Sequence, residues 1–236
     1  MRVLAVGAHP DDVDLLCAGT LARYAAAGHD VMIAIATNGD VGSPTLRRDQ
    51  IAKIRHQEAR ASAAVIGADL VWMGFEDEWL FNDRPTRTTF IDMLRRTRPD
   101  IVLAHSPHDY HPDHRIAGQL VIDAQIPSAV RLVETAEPAL DAIPRVYTMD
   151  TIGHTGPPPQ LFVDITSTID VKERMLRAHV SQETWLSHIY GMEYVAFMRQ
   201  QGAVRAAGCG SAYAEGFTEL ETYPPARPDL PPLGVF

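Results

Sequence analysis

The sequence predicts an α/β protein with a Rossmann-like, mostly parallel sheet and helices on both faces. Three observations predict it. Short, almost wholly apolar runs alternate with longer helix-like segments through the first half of the chain; glycine closes two of those segments; and clusters of histidine and aspartate follow the first and fourth runs. Continuous apolar runs mark strands buried on both faces, as parallel strands are. Their alternation with helices is the pattern of βαβ units.

Taken in order, Val3–Gly7 is the first buried strand. Leu15 to Ala27 is rich in alanine and leucine, a helix ended by Gly28. Val31 to Thr37 is the second strand, closed by Asn38-Gly39, and a long helix runs from about Thr45 to Ile66, ended by Gly67. Leu70 to Met73 is a third strand, Thr88 to Thr97 a helix, Asp100 to Ala104 a fourth strand, and Asp113 to about Ala124 the next helix. After Pro144 the alternation loosens. Val146 to Thr151 and Leu161 to Ile165 read as strands split by a turn-rich Gly-His-Thr-Gly-Pro-Pro-Pro segment. Helices are expected over Val171 to Val180 and Gly191 to Gln201, and a last strand over Tyr213 to Leu220. Five prolines from Pro224 onward exclude helix and interior strand. The expected organisation is one domain over 1–223 with a Pro-rich tail over 224–236.

The 236 residues, 46% of them apolar, suffice for one large core and exclude a disordered, collagenous or coiled-coil chain. The net charge is -9, and Lys53 and Lys172 are the only lysines. An acidic chain is a poor nucleic-acid binder, because phosphate contact needs a basic face. Two cysteines, Cys17 and Cys209, make no disulfide framework. The N-terminus meets acidic residues too early for a signal peptide, and no apolar run approaches a membrane span. The expectation is a cytoplasmic protein with no nucleic-acid or membrane partner.

Ligands in open α/β sheets bind outside the carboxyl ends of the strands, where both polar clusters fall. His9-Pro-Asp-Asp12 follows the first strand, and the stretch from His105 to His114 carries four of the ten histidines. Two imidazoles, a carboxylate and an open fourth position make a catalytic zinc site. His9 and Asp12 lie on a loop entering a helix, and His114, in the first turn of a helix, is the best third ligand. Asp11 then neighbours a ligand without being one, the place for a general base. His111 could face developing negative charge, with Asp113 orienting it through its other ring nitrogen. The plainer alternative is that each cluster caps a helix, Asp12 or Asp14 being good caps. His105 and His108 read as loop or supporting groups, and His29 as an exposed turn residue.

At these residues the sequence resembles the PIG-L, or LmbE-like, family of zinc-dependent N-acetyl-sugar deacetylases, over nearly the whole chain. The motifs are Ala8-His-Pro-Asp-Asp-Val-Asp14, Thr37-Asn-Gly-Asp40, Arg55-His-Gln-Glu58, His111-Pro-Asp-His114, Val163-Asp-Ile-Thr166, His179-Val-Ser-Gln182 and Tyr213-Ala-Glu-Gly-Phe217. Length and Val13 look most like the branch acting on N-acetylglucosaminyl malate in bacillithiol synthesis. Asp14 stands where that branch has glutamate and Tyr110 where it has a basic residue; the Asp-Tyr-His run looks more like members acting on chitobiose or antibiotic sugars. The resemblance implies a zinc-dependent N-deacetylase acting on a small N-acetyl sugar. His9, Asp12 and His114 would be its ligands, Asp11 its base, and His111, backed by Asp113, its electrostatic or acid group. Iron(II) suits the same ligands. Arg55 matches an active-site arginine, a planar multi-donor fork that would bind a sugar oxygen or a charged aglycone of the substrate, against a plainer reading as a solvated helix arginine paired with Glu58. Asp77 matches a position that binds a sugar hydroxyl, Tyr194 a tyrosine that donates to the oxyanion, and Glu215 a structural residue. A homo-oligomer, trimeric or hexameric, is also implied. Three rivals stand beside this reading: a metal-dependent amidase acting on thiol conjugates or antibiotic sugars, a non-catalytic nucleotide-binding domain, and a structural subunit. His-Pro-Asp-Asp replaces the glycine-rich phosphate cradle in the first turn, which weighs against nucleotide binding.

Overall fold

The computed structural model describes residues 1–207 and 209–235. The elements run β1 (Arg2–Gly7), α1 (Asp12–Leu16), α2 (Ala18–Ala26), β2 (Asp30–Thr37), α3 (Arg48–Val65), β3 (Asp69–Phe75), α4 (Arg84–Thr97), β4 (Ile101–Ala104) and α5 (Pro112–Ser128). There follow β5 (Arg145–Met149), a single 3-10 turn (Ile152–His154), β6 (Leu161–Asp164), α6 (Ile169–Leu176), α7 (Val180–Tyr190), α8 (Tyr194–Ala206) and β7 (Ala214–Glu219). The strands form one sheet in the order β3-β2-β1-β4-β5-β7-β6. The first five are mutually parallel, while β7 runs antiparallel to both β5 and β6.

Strand alternation builds the two halves of the core. Val3, Ala5, Ile33, Ile35, Ile101 and Leu103 face the layer of α1, α2, α6 and α8, where Leu21, Met175 and Met198 cover them. Leu4, Val6, Ala34, Ala36, Val102 and Ala104 face α4 and α5, against Phe90, Leu94, Leu120 and Val121. Both faces are thus sealed, which is why these strands read as unbroken apolar runs.

The order reverses between β1 and β4, the chain having gone from β1 outward through β2 and β3 and then returned. A crevice opens at such a switch point, outside the carboxyl ends of the strands. The loops after β1 and β4 carry the two histidine–aspartate clusters to this crevice.

The structure departs from the sequence expectation in three places. The helix expected from Leu15 begins at Asp12 and breaks at Cys17. The helix expected over 171–180 is α6, ending at Leu176, and the last helix begins at Tyr194, not Gly191. Between them α7 forms from a segment not expected to be helical. Only Gln182 of its residues is fully buried, so it lacks the apolar stripe that reveals an amphipathic helix. The Pro-rich tail packs on its own chain: Arg145 donates to the carbonyls of Leu230 and Pro231, and Leu233 is buried. Among the described residues, no helix is long and apolar enough to cross a membrane.

Candidate metal centre and active site

The short helix α1 starts where β1 stops, with Asp11 at its N-cap and Asp12 in its first position. Asp11 makes no side-chain cap hydrogen bond, so its carboxylate is free of the capping role. Asp12 turns back and accepts from the His9 backbone N–H at 2.6 Å. Across the switch point, His111 is the N-cap of α5, Pro112 its first residue, and His114 sits in its first turn. Helix α5 lies hard against the end of β4 at Gly118, where a Cβ would come within 2.3 Å of the His105 carbonyl oxygen. A side chain there would push the helix, and His114 with it, off the sheet.

These elements bring His9, Asp12 and His114 together. His9 Nδ1 lies 3.2 Å from His114 Nε2. Asp12 Oδ2 is 3.3 Å from His9 Nδ1, and Asp12 Oδ1 is 3.3 Å from His114 Nε2. Ligand atoms about 2.0–2.1 Å from a tetrahedral ion stand about 3.3–3.4 Å apart, so the spacing fits. The other ring nitrogens face carboxylates: His9 Nε2 is 3.1 Å from Asp77, and His114 Nδ1 is 3.2 Å from Asp109. This leaves two imidazole nitrogens pointing at each other, an arrangement that suits lone pairs converging on a shared cation. A carboxylate behind each ligating histidine is the usual support of a metal site. The cluster is wider than the predicted triad. His111 joins His9 and His114, and His105 joins Asp12 and His114, with ligand atoms in each group within 4.8 Å of one another.

The electrostatics point the same way. Burial opposes a proton on His9, but Asp12, Asp113 and Asp77 raise its pKa well above the usual value. Burial opposes the proton on His114 as well; Asp12 and Asp109 nevertheless push it up to about 9. Asp12, whose burial favours the neutral acid, is held well below the usual carboxylate range by His114, His9 and His105. Protons on the two imidazoles thus hold charge that a divalent cation would replace.

Asp11 lies beside this cluster, buried, with both oxygens engaged. Arg55 donates to Oδ1 at 2.7 Å and Tyr194 donates to Oδ2 at 2.7 Å. Burial and the negative charge of Asp11 push the Tyr194 phenol well above its usual pKa, so it remains a donor. Arg55 is carried on the buried stripe of α3, between Ile51 and Ala59. Glu58 instead accepts from Ser181, so the surface pairing of Arg55 with Glu58 does not form.

Several expected roles change. The Asp113 carboxylate does not orient His111; it accepts from the Glu78 backbone N–H at 2.8 Å and lies 3.6 Å from His9 Nε2. What reaches His111 is the Asp113 backbone N–H, which donates to Nδ1 at 3.2 Å because His111 is the N-cap. A neutral His111 therefore carries its proton on Nε2. Asp77, expected to meet a sugar hydroxyl, is buried behind His9. Tyr194 spends its hydroxyl proton on Asp11 and has none left for an oxyanion. Arg55 is likewise committed to Asp11. His105 is buried, stacks on His114 with centroids 4.1 Å apart and lies 3.0 Å from Asp12, which places it within the cluster as a supporting group. The His108 backbone N–H donates to Ser106 Oγ, so it closes the turn there.

Sequence reasoning missed Asp109, Glu78 and the apolar wall. The wall comes from α7, α8 and the residues between them: Trp185, Leu186, Tyr190, Met192 and Phe197. Together with His9, Asp11, Asp12, Arg55, Asp77 and His114 it encloses a cavity of about 430 Å³. Asp109 was legible in part, since it lies within the histidine-rich stretch five residues before His114.

Known proteins resemble this chain in both sequence and fold. The PIG-L family model, described as GlcNAc-PI de-N-acetylase, matches residues 4–125. The diacetylchitobiose deacetylase of Thermococcus kodakarensis is 31% identical over 194 residues, covering 77% of this chain and 70% of that protein. The 4-oxalmesaconate hydratase of Pseudomonas putida is 29% identical over 236 residues, covering 92% of this chain and 88% of that protein. Among solved structures, the N,N'-diacetylchitobiose deacetylase of Pyrococcus horikoshii superposes with a TM-score of 0.82 at 26% identity, covering 93% of this chain and 83% of that one.

Proposed function

The chain belongs to the PIG-L family, and from that membership and the site geometry we propose that it is a metal-dependent N-deacetylase. Its substrate is an N-acetylglucosamine-type amino sugar or conjugate, and its products are acetate and a free amine. One observation carries the reading: a carboxylate that is not among the proposed ligands, Asp11, is fixed beside His9, Asp12 and His114 and faces the cavity they line.

His9, Asp12 and His114 would hold the ion, and zinc is the metal that two imidazoles and a carboxylate suit best, iron(II) being the alternative. When bound, it supplies an activated water and polarises the amide carbonyl. Asp11 accepts the proton of the attacking water. Each of its oxygens keeps a second lone pair beside the bond it already accepts, and Arg55 and Tyr194 hold the carboxylate in place. His111 presents Nε2–H to the cavity, where it donates to the developing oxyanion; its Nδ1 is held by the Asp113 N–H. Asp77, Asp109 and Asp113 keep the imidazoles of His9 and His114 in orientation. The proton on Asp11 is available for the departing amine.

The test is a substrate panel. Acetate release from N-acetylglucosamine or N,N'-diacetylchitobiose supports the reading. Hydration of 4-oxalmesaconate without acetate release from any acetamido sugar would replace it with the activity named for the Pseudomonas relative.

A pH dependence follows from the histidines. In the metal-free protein His114 holds its proton up to about pH 9, and His9 also titrates above its usual value. Metal must displace these protons, so falling pH opposes loading. Apparent affinity should drop about tenfold per pH unit for each proton displaced, measured by competition with a chelator from pH 8 to pH 6. A flat affinity across that range would contradict the ligand assignment.

The family resemblance also leads us to propose a homo-oligomer, trimer or hexamer, and the sparse cysteines a reducing, cytoplasmic setting. Light scattering should give a multiple of 26.0 kDa, and a particle of that single-chain mass at working concentration would refute the assembly.

A further inference from the structure

The lining of the cavity is lopsided in charge. Asp11, Asp12, Asp77 and Glu78 contribute four carboxylates, and Arg55 is the only lysine or arginine among the described lining residues. Arg55 is not free to greet a ligand. Its Nη2 donates to Asp11 at 2.7 Å, and its Nη1 lies 3.4 Å from the Gly39 carbonyl oxygen and 3.9 Å from Asp77. The chain closes over it at Gly39 and Gly42, where an added Cβ would come within 2.6 and 2.7 Å of the guanidinium. A divalent ion in the histidine cluster would still leave the carboxylates in excess.

Glu78 stands at the mouth with its side chain 48% exposed. Its backbone is left-handed, φ 68°, an unusual conformation for a residue with a side chain. The hydrogen bond from its N–H to Asp113 Oδ2 holds it there. This places its carboxylate 3.4 Å from His111 Nε2, beside the position where the substrate's amide must lie. An anionic group on the substrate would meet this charge, and among the described lining residues no lysine or arginine other than the committed Arg55 offsets it.

The opposite wall is apolar. Trp185, Leu186, Tyr190, Met192 and Phe197 form it. An acetyl methyl needs only a small part of such a surface, so most of the wall is available to whatever the amino sugar carries.

We propose that the substrate is an acetamido sugar bearing an uncharged, apolar or aromatic aglycone. The aglycone lies on the Trp185–Tyr190–Phe197 wall, and Glu78 excludes anionic aglycones. The proposal rests on the deacetylase reading and names the substrate class of that site. It sets aside a charged aglycone as the partner of Arg55.

The test compares kcat/KM of the metal-loaded full-length enzyme on the methyl, phenyl and malyl glycosides of N-acetylglucosamine, with free N-acetylglucosamine and N,N'-diacetylchitobiose as references. Phenyl should exceed methyl by roughly two- to tenfold, the range of an added aromatic contact. Malyl should fall below methyl by about tenfold, as one unscreened like charge nearby predicts. Glu78→Gln should narrow the methyl-to-malyl ratio. Trp185→Ala, or Tyr190→Ala at the more exposed position, should narrow the phenyl-to-methyl ratio. Ratios within one variant remain readable even if its overall rate falls. Malyl turnover equal to or above methyl overturns the proposal, as do ratios unmoved by the variants; acetate release from the references then leaves the deacetylase reading standing. No acetate from any compound, references included, overturns both.

Discussion

Asp11→Asn is expected to keep its metal and its fold while losing about 10²–10⁴-fold in deacetylation rate, the usual effect of removing a positioned general base. Asparagine has the size of aspartate, and its groups suit the same neighbours. The amide oxygen accepts from Arg55 as Oδ1 does, and the amide NH2 can donate to the Tyr194 hydroxyl oxygen in place of the bond that Oδ2 accepts. What the amide cannot do is take a proton from water. Asp12→Asn should behave differently, because Asp12 lies 3.3 Å from the facing nitrogens of both His9 and His114. Its loss should weaken the metal itself, visible as reduced metal content after dialysis. The pair is informative because the two residues are adjacent and of one type. Metal loss in Asp11→Asn with retention in Asp12→Asn would exchange their roles, and full activity in Asp11→Asn would remove Asp11 as the base.

The second large effect lies in the core. Glu215, on β7, is buried and accepts from the backbone N–H groups of Gly19 and Thr20 at 2.9 and 2.7 Å, at the start of α2. It also pairs with Lys172 of α6 at 2.5 Å, one of only two lysines in the chain and itself buried. One carboxylate thus ties three elements together. Glu215→Ala leaves a buried ammonium without its partner and two N–H groups without an acceptor. Breaking a buried pair from one side destabilises by about 3–5 kcal/mol, so urea unfolding of the metal-loaded variant should show a loss of that order. Lys172→Met combined with Glu215→Gln removes both charges and keeps an acceptor, and should destabilise less than Glu215→Ala. A loss below about 1 kcal/mol for Glu215→Ala would deny the pair its structural role.

The legible and illegible parts of this protein divide along a physical line. The sheet was readable because the interiors of β1, β2 and β4 are buried on both faces and are apolar from Val3 to Val6, Val31 to Ala36 and Ile101 to Ala104, a signal independent of distant partners. The histidine–aspartate cluster was readable for a related reason: His9, Asp12, His111 and His114 come from two short segments at neighbouring strand ends, each a loop running into a helix start, so each segment carries its own pattern. Roles that depend on a partner far along the chain were not readable. Tyr194 finds Asp11 across 183 positions, and which of its possible hydrogen bonds it makes is decided by how α8 docks. Asp113 is expected to orient His111 through its other ring nitrogen, yet in the helix N-cap the backbone, not the carboxylate, meets the ring. Helix α7 stayed hidden because its large side chains line a cavity instead of the core. The His179-Val-Ser-Gln182 motif that precedes and begins it serves to anchor it. His179 pairs with Asp14 at 3.2 Å, Ser181 donates to Glu58 and Gln182 donates to the Gly42 carbonyl.

The most direct test of the central claim is to follow acetate and free amine together, in water enriched in oxygen-18, with N,N'-diacetylchitobiose as substrate. A metal-dependent hydrolysis predicts acetate and amine in equal amounts, with one solvent oxygen in each acetate. It also predicts that turnover stops when a chelator strips the protein and returns when zinc or iron(II) is restored. Turnover indifferent to metal removal, or metal-loaded protein that forms no acetate from this or any other acetamido sugar, would contradict it.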